Sequence, residues 1–148
     1  MSLLLFALLA IPYDLIDEPA QALIEAGRDY AGARVCQSIE HSTLWLAARD
    51  HARYQAQHKL QGHQNWEQRV RVLHKKIPGY TFREICAESW YWKTDETLYT
   101  LGWDMFDSWS HSRGHWKVAS EKHDMFGASM ALGEDGVWYA CIIVGDKQ

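Results

Sequence analysis

Apolar positions recur along this chain with two different periods, and the period changes mark its elements. Ala20, Leu23 and Ile24 form a helical stripe between Asp17 and Arg34, with Pro19 in the first turn, where its missing N–H costs nothing. Gly27 and Gly32 weaken the second half of that segment. A longer helix is predicted from Gln37 to Leu60. There Leu44, Ala48, Ala52, Ala56 and Leu60 repeat every four residues, a narrow stripe of small side chains that permits close approach. Gly62 reads as its stop signal. Asn65, followed three residues on by Gln68, reads as a capping box opening a third helix. Its buried face is Trp66, Val70, Leu73 and Ile77, and Pro78-Gly79 ends it.

The period then becomes two. Thr81 to Trp92 reads as a strand with Cys86, Glu88, Trp90 and Trp92 on one face and Ile85, Ala87, Ser89 and Tyr91 on the other. Helical spacing returns from Thr94 to about Ser110, presenting Leu98, Leu101, Met105 and Trp109. A hairpin of 125–132 and 137–144 closes the chain around Gly133-Glu134-Asp135-Gly136. Both faces of the predicted strand are apolar, so the sheet needs cover on both sides. The fold class expected is α+β: an α-β-α sandwich with a mainly antiparallel central sheet flanked by helices. We divide the chain into an apolar N-terminal arm, residues 1–16, and a single domain, residues 17–148.

Composition narrows the function classes. The 148 residues are 47% hydrophobic and 23% charged, the balance of one globular domain with a core of its own. The net charge of −4 gives no general attraction to nucleic acid, which is not an expected partner. Cys36, Cys86 and Cys141 cannot all pair within one chain. Free buried thiols are the simplest reading, and a Cys86–Cys141 bridge requires neighbouring strands. Ser2–Ile11 has the apolar character of a secretory h-region but no Lys or Arg before it. It is too short to span a bilayer, so no transmembrane span is expected there. The reading preferred is an arm packed on the domain or on a protein partner, with an inefficient signal peptide as the alternative.

Three polar residues interrupt otherwise apolar patterns: His63 after Gly62, Glu88 in the aromatic-rich strand and His115 after Gly114. Elsewhere the bland reading prevails. His51 and His58, seven apart, read as a solvated helix face, and Arg69, Arg71, Lys75 and Lys76 as a basic surface. Ser112 beside His115 is too close in sequence to be aligned as a nucleophile.

From about Leu44 to Asp146 the order of motifs resembles the CAP superfamily, or SCP domain, in its bacterial form. The Ala-rich helix from Leu46 to Gln57 is followed by His63 where the family carries a histidine. Ala87-Glu88-Ser89 is similar to the family's Gly-Glu-Asn, and Asp107 to His115 resembles its Trp-containing helix running into Ser-Pro-Gly-His. Phe126–Ala131 and Val137-Trp138-Tyr139 resemble its closing hairpin. The sequence departs from the pattern at Ser89, Ser112, Arg113 and Val118, while Asp107 is a displaced candidate for the family's second acid.

The resemblance implies a secreted or surface-exposed protein whose cleft gathers His63, Glu88 and His115 around a small-molecule, lipid, glycan or protein ligand. The two histidines could hold zinc or another divalent cation, with Glu88 as ligand or base. Two alternatives stand beside this binding module. One is a metal-assisted hydrolase; the other is a structural component of a larger assembly such as a virion, motivated by the apolar arm.

Overall fold

The computed structural model describes residues 16–89 and 97–148. Residues 1–15 of the arm and the Trp90, Trp92 and Thr94 positions lie outside them, while Ile16 is buried in the core. The elements run α1 (Glu18–Asp29), a 3₁₀ turn (Val35–Gln37), β1 (Ile39–Glu40), α2 (Ser42–His58), α3 (Trp66–Lys76), β2 (Tyr80–Glu88), α4 (Leu98–Ser110), α5 (Arg113–Ser120), β3 (Met125–Leu132) and β4 (Trp138–Lys147). The sheet order is β1-β3-β4-β2, with the β1–β3 pair parallel and the other pairs antiparallel.

Helices cover both faces, as two-sided strands demand. On one face α1, α4 and α5 bring Leu23, Ile24, Leu101, Phe106, Trp109 and Ala119 onto Ile85, Phe126, Ala140 and Ile142. On the other, α2 and α3 bring Leu44, Ala48, Ala52 and Leu73 onto Phe82, Cys86, Met125, Cys141 and Ile143. The predicted alternation of β2 holds over its described residues: Cys86 faces the α2 layer, Ile85 and Ala87 the other. No helix among the described residues is long and apolar enough to cross a membrane.

Local chemistry corrects several predicted boundaries. α1 stops at Asp29: the cap residue Tyr30 is already extended (ψ 127°), and Gly32 at φ +80° then turns the chain in the following loop, well before Arg34. The segment 37–60 divides into a 3₁₀ turn, a two-residue strand and α2. α2 ends on Lys59 in the left-handed region, where the Leu60 N–H returns to the Gln55 carbonyl, so Gly62 is not its stop residue. The expected capping box at Asn65 is absent. Asn65 is itself left-handed (φ 58°), which takes its side chain away from the free amides of the first turn. Thr97 provides such a box for α4 together with Thr100. α5 has no counterpart in the periodicity reading, since eight residues give too few repeats.

The small-residue stripe of α2 seats this helix directly on β3. A Cβ on Gly127 would collide with the backbone of Leu44 and Trp45, while one on Gly114 meets nothing within 4 Å. Gly127→Ala is therefore expected to cost more than about 3 kcal/mol, or to prevent folding, because helix backbone cannot yield as a side chain can. Gly114→Ala, inside α5, should be neutral or stabilising by up to about 1 kcal/mol. Chemical denaturation of the two variants measures the contrast.

Candidate functional site

Glu84 sits on the inward face of β2, between Phe82 and Cys86, and its side chain is only 1% exposed. A carboxylate in that position must be compensated where it lies. Arg69 from α3 does so with a two-pronged contact, Nη1 on Oε2 and Nη2 on Oε1, the latter at 2.9 Å. Its guanidinium also lies 5.2 Å over the Trp66 ring. His63 donates from Nδ1 to Oε1 at 2.9 Å, and the Cys141 thiol donates to Oε2 at 3.5 Å. His51 Nε2 is 3.8 Å from Oε1 but gives its hydrogen to the Gly62 carbonyl at 2.7 Å. Burial alone would push the Glu84 carboxyl above its ordinary pKa. The Arg69 and His63 bonds overcome that, and the carboxyl is held down to about 2.

Side chains tie the loop after α2 into place. Gly62 N–H donates to Gln55 Oε1 at 3.0 Å, and Gln61 Nε2 donates to the Cys86 carbonyl at 3.1 Å. Trp109 Nε1 reaches the same carbonyl at 2.9 Å, anchoring α4. These bonds hold His63 with Nδ1 turned inward to Glu84 and Nε2 left for the outside; the side chain is 46% exposed. His115, in the first turn of α5, places its ring centre 6.4 Å from that of His63. The Cys86 sulfur, 4.0 Å from His63 Nδ1, is the largest cause raising His63 to about 10, with Glu84 next, so His63 is an imidazolium at neutral pH. His115 is shifted the other way, by burial first and then by the charge on His63, and remains neutral.

Two of the three expected residues thus come together. Glu88 does not join them: it is exposed at the end of β2, and no hydrogen bond or ion pair links it to either histidine. The carboxylate at His63 is Glu84, four residues earlier. Asp107 lies apart, accepting a bond from the Tyr30 hydroxyl at 3.0 Å. Two bland readings also change. His51 is buried, because it flanks the Ala48–Ala52 stripe, whereas His58 at the helix end is exposed. Arg69 turns inward off its otherwise basic helix. The alternation that put Cys86 on the α2 face carries Glu84 with it, a signal present in the sequence.

The cluster limits the chemistry available. His51, Glu84 and Cys86 offer ligand atoms within 4.8 Å of one another. However, Arg69 already occupies both Glu84 oxygens and supplies the compensating positive charge, so this set fits a cation poorly. The His63–His115 pair fits better: imidazoles sharing a tetrahedral zinc have ring centres about 5 Å apart, a small adjustment from the geometry here. Cys86, His63 and Glu84 have the residue types of a nucleophilic triad. Yet the sulfur and the carboxylate both address Nδ1, whereas a triad uses opposite nitrogens, and Cys86 is buried.

No protein-family model matches the sequence, and no curated protein gives a significant match. Among solved structures, an outer surface protein from Borrelia burgdorferi is similar in fold, with a TM-score of 0.63 and 17% identity over 89% of this chain and 95% of that one.

Glu84→Gln should lower stability by about 3 kcal/mol, since Arg69 then stays partly buried without its counter-charge. The folded carboxyl, at about 2, lies below its unfolded value. Its contribution is therefore complete above about pH 5 and disappears as pH falls through 2. Urea midpoints should drop across that window in the wild-type protein and drop less in Glu84→Gln, where only the other hydrogen-bonded carboxylates, such as Asp146, still titrate. The His63 shift has the opposite sign, its stabilisation being present below about pH 6.5 and lost as pH rises through 10. NMR of the His63 ring should accordingly show no inflection between pH 6 and 7, and Glu84→Gln should move the inflection downward.

Proposed function

We propose that this chain is a CAP-type binding module displayed at a cell or particle surface, recognising an anionic or strongly polar group of its ligand through His63 and His115. The observation that carries this reading is the imidazole pair itself. An imidazolium braced from beneath by Glu84 offers its Nε2–H outward beside a neutral ring that can both donate and accept. The Glu84 charge is taken up by Arg69 below, so the outward field at His63 is positive. Such a pair suits a phosphate, carboxylate or sulfate on a lipid, glycan or protein. The similarity in fold to an outer surface protein, and the resemblance of the order of sequence motifs to that of CAP proteins, support the location.

A binding role is favoured over hydrolysis because the cluster lacks an aligned nucleophile and base, and Glu88 stands apart. One observation keeps metal as a second reading: a carboxylate on one imidazole nitrogen is a common way to orient the other toward zinc. Zinc would first have to displace the proton that Glu84 and Cys86 hold on His63.

Titration of the protein with inorganic phosphate, followed by NMR of the histidine rings, separates these readings. The His63 and His115 signals should shift together and saturate. His63→Ala and His115→Ala should each weaken binding by about tenfold or more, the loss of one charge-assisted bond. Shifts in neither ring, or unchanged binding in both variants, would overturn the proposal. A zinc-dependent rise in Tm that either substitution abolishes would replace the anion reading with the metal one.

A further inference from the structure

β2 and β4 set Cys86 directly opposite Cys141, and both are free, buried thiols on the α2 face of the sheet. The phase of the ladder decides how close they are. Ser89 N–H donates to the Trp138 carbonyl three residues along, while the Cys86 carbonyl points off the sheet to Gln61 and Trp109. Ladder bonds alternate, so Cys86–Cys141 is a non-hydrogen-bonded pair. Pairs of that kind have Cα atoms about 4.5 Å apart, inside the roughly 4.4–6.8 Å that a disulfide spans. We infer that Cys86 and Cys141 form a cross-strand dithiol that a hydroperoxide converts to a disulfide within the sheet.

The neighbours assign the roles. Cys86 Sγ lies against the His63 imidazolium, which favours its thiolate, and half-exposed His63 marks the side from which a molecule as small as hydrogen peroxide arrives. Cys141 keeps its proton, donating it to Glu84. The Cys86 thiolate attacks one peroxide oxygen and the O–O bond breaks. The sulfur becomes a sulfenic acid, and the departing hydroxide takes a proton to become water. Cys141 sulfur then attacks Cys86 sulfur, and the second hydroxide leaves with the Cys141 proton as water. Two thiols are oxidised by two electrons and one peroxide is reduced to two waters. Cys36 is fully buried in the opposite layer, where burial pushes its thiol far up, and serves as an internal control.

The inference is independent of the ligand reading, and its test needs no ligand. The purified chain is treated with hydrogen peroxide, the remaining thiols are alkylated, and the protein is mapped by mass spectrometry. A Cys86–Cys141 cross-linked peptide should form at least about tenfold faster than any oxidation of Cys36. In Cys141→Ala the reaction should stop at a Cys86 sulfenic acid that a dimedone reagent traps, and Cys86→Ala should leave Cys141 reduced. Oxidation should also move the His63 ring titration downward, because the sulfur partner is lost. Both cysteines still alkylated after peroxide treatment, Cys36 reacting as fast, or bridges only between chains would each overturn the inference. If either variant fails to fold, the wild-type peptide map alone distinguishes these outcomes.

Discussion

Glu84 places a full negative charge inside the layer where α2 and α3 meet the sheet, and much of the surrounding structure answers to it. Removing a carboxylate from water costs several kcal/mol even after relaxation. Arg69 must therefore come in from α3, which fixes how that helix approaches β2, and His63 must come in from the preceding loop. Each of these partners is then held by a further group. Trp66 lies under the guanidinium, while Gln55 and His51 fasten the loop at Gly62. Arg69 balances the Glu84 charge, and the His63 imidazolium carries the remaining positive charge at the outer edge of the cluster.

Among the described residues β2 forms one side of the sheet, hydrogen-bonded to β4 alone, so its outer carbonyls need partners from elsewhere. The Cys86 carbonyl finds two, Gln61 and Trp109, and these link the helical layers across the strand. His115 reaches His63 at this same border, near the point where α5 follows α4. The imidazole pair is thus a product of edge coverage as well as of charge compensation.

This arrangement separates a compensated interior from a half-exposed histidine at the surface. Glu84, Arg69 and the thiols are committed to one another, while His63 is half-exposed on its outer side with the His115 ring beside it. A charged residue whose inward side is fully satisfied keeps its orientation without a ligand, and binding then needs little reorganisation. The free thiols beneath give the same histidine a second, chemical neighbour, so the charge at the surface is coupled to the state of the sulfur below.

The local sequence determined the elements that repeat often enough to be periodic. The stripes of α1, α2 and α4, the two faces of β2 and the closing hairpin follow from apolar spacing, because burial selects side chains at the period of the backbone. Apolar content on both strand faces was enough to require helices on both sides. His63 and His115 were also visible, each interrupting a segment it did not suit. The tertiary structure decided their partner. Glu84 and Glu88 share a strand face by alternation, and only the position of α3 makes the first a buried ion pair while the second lies in solvent. The same applies to His51 and Arg69, whose sequence neighbours are those of solvated helix faces. Charge compensation acts between elements distant along the chain, and no local period records which cation a buried carboxylate will meet.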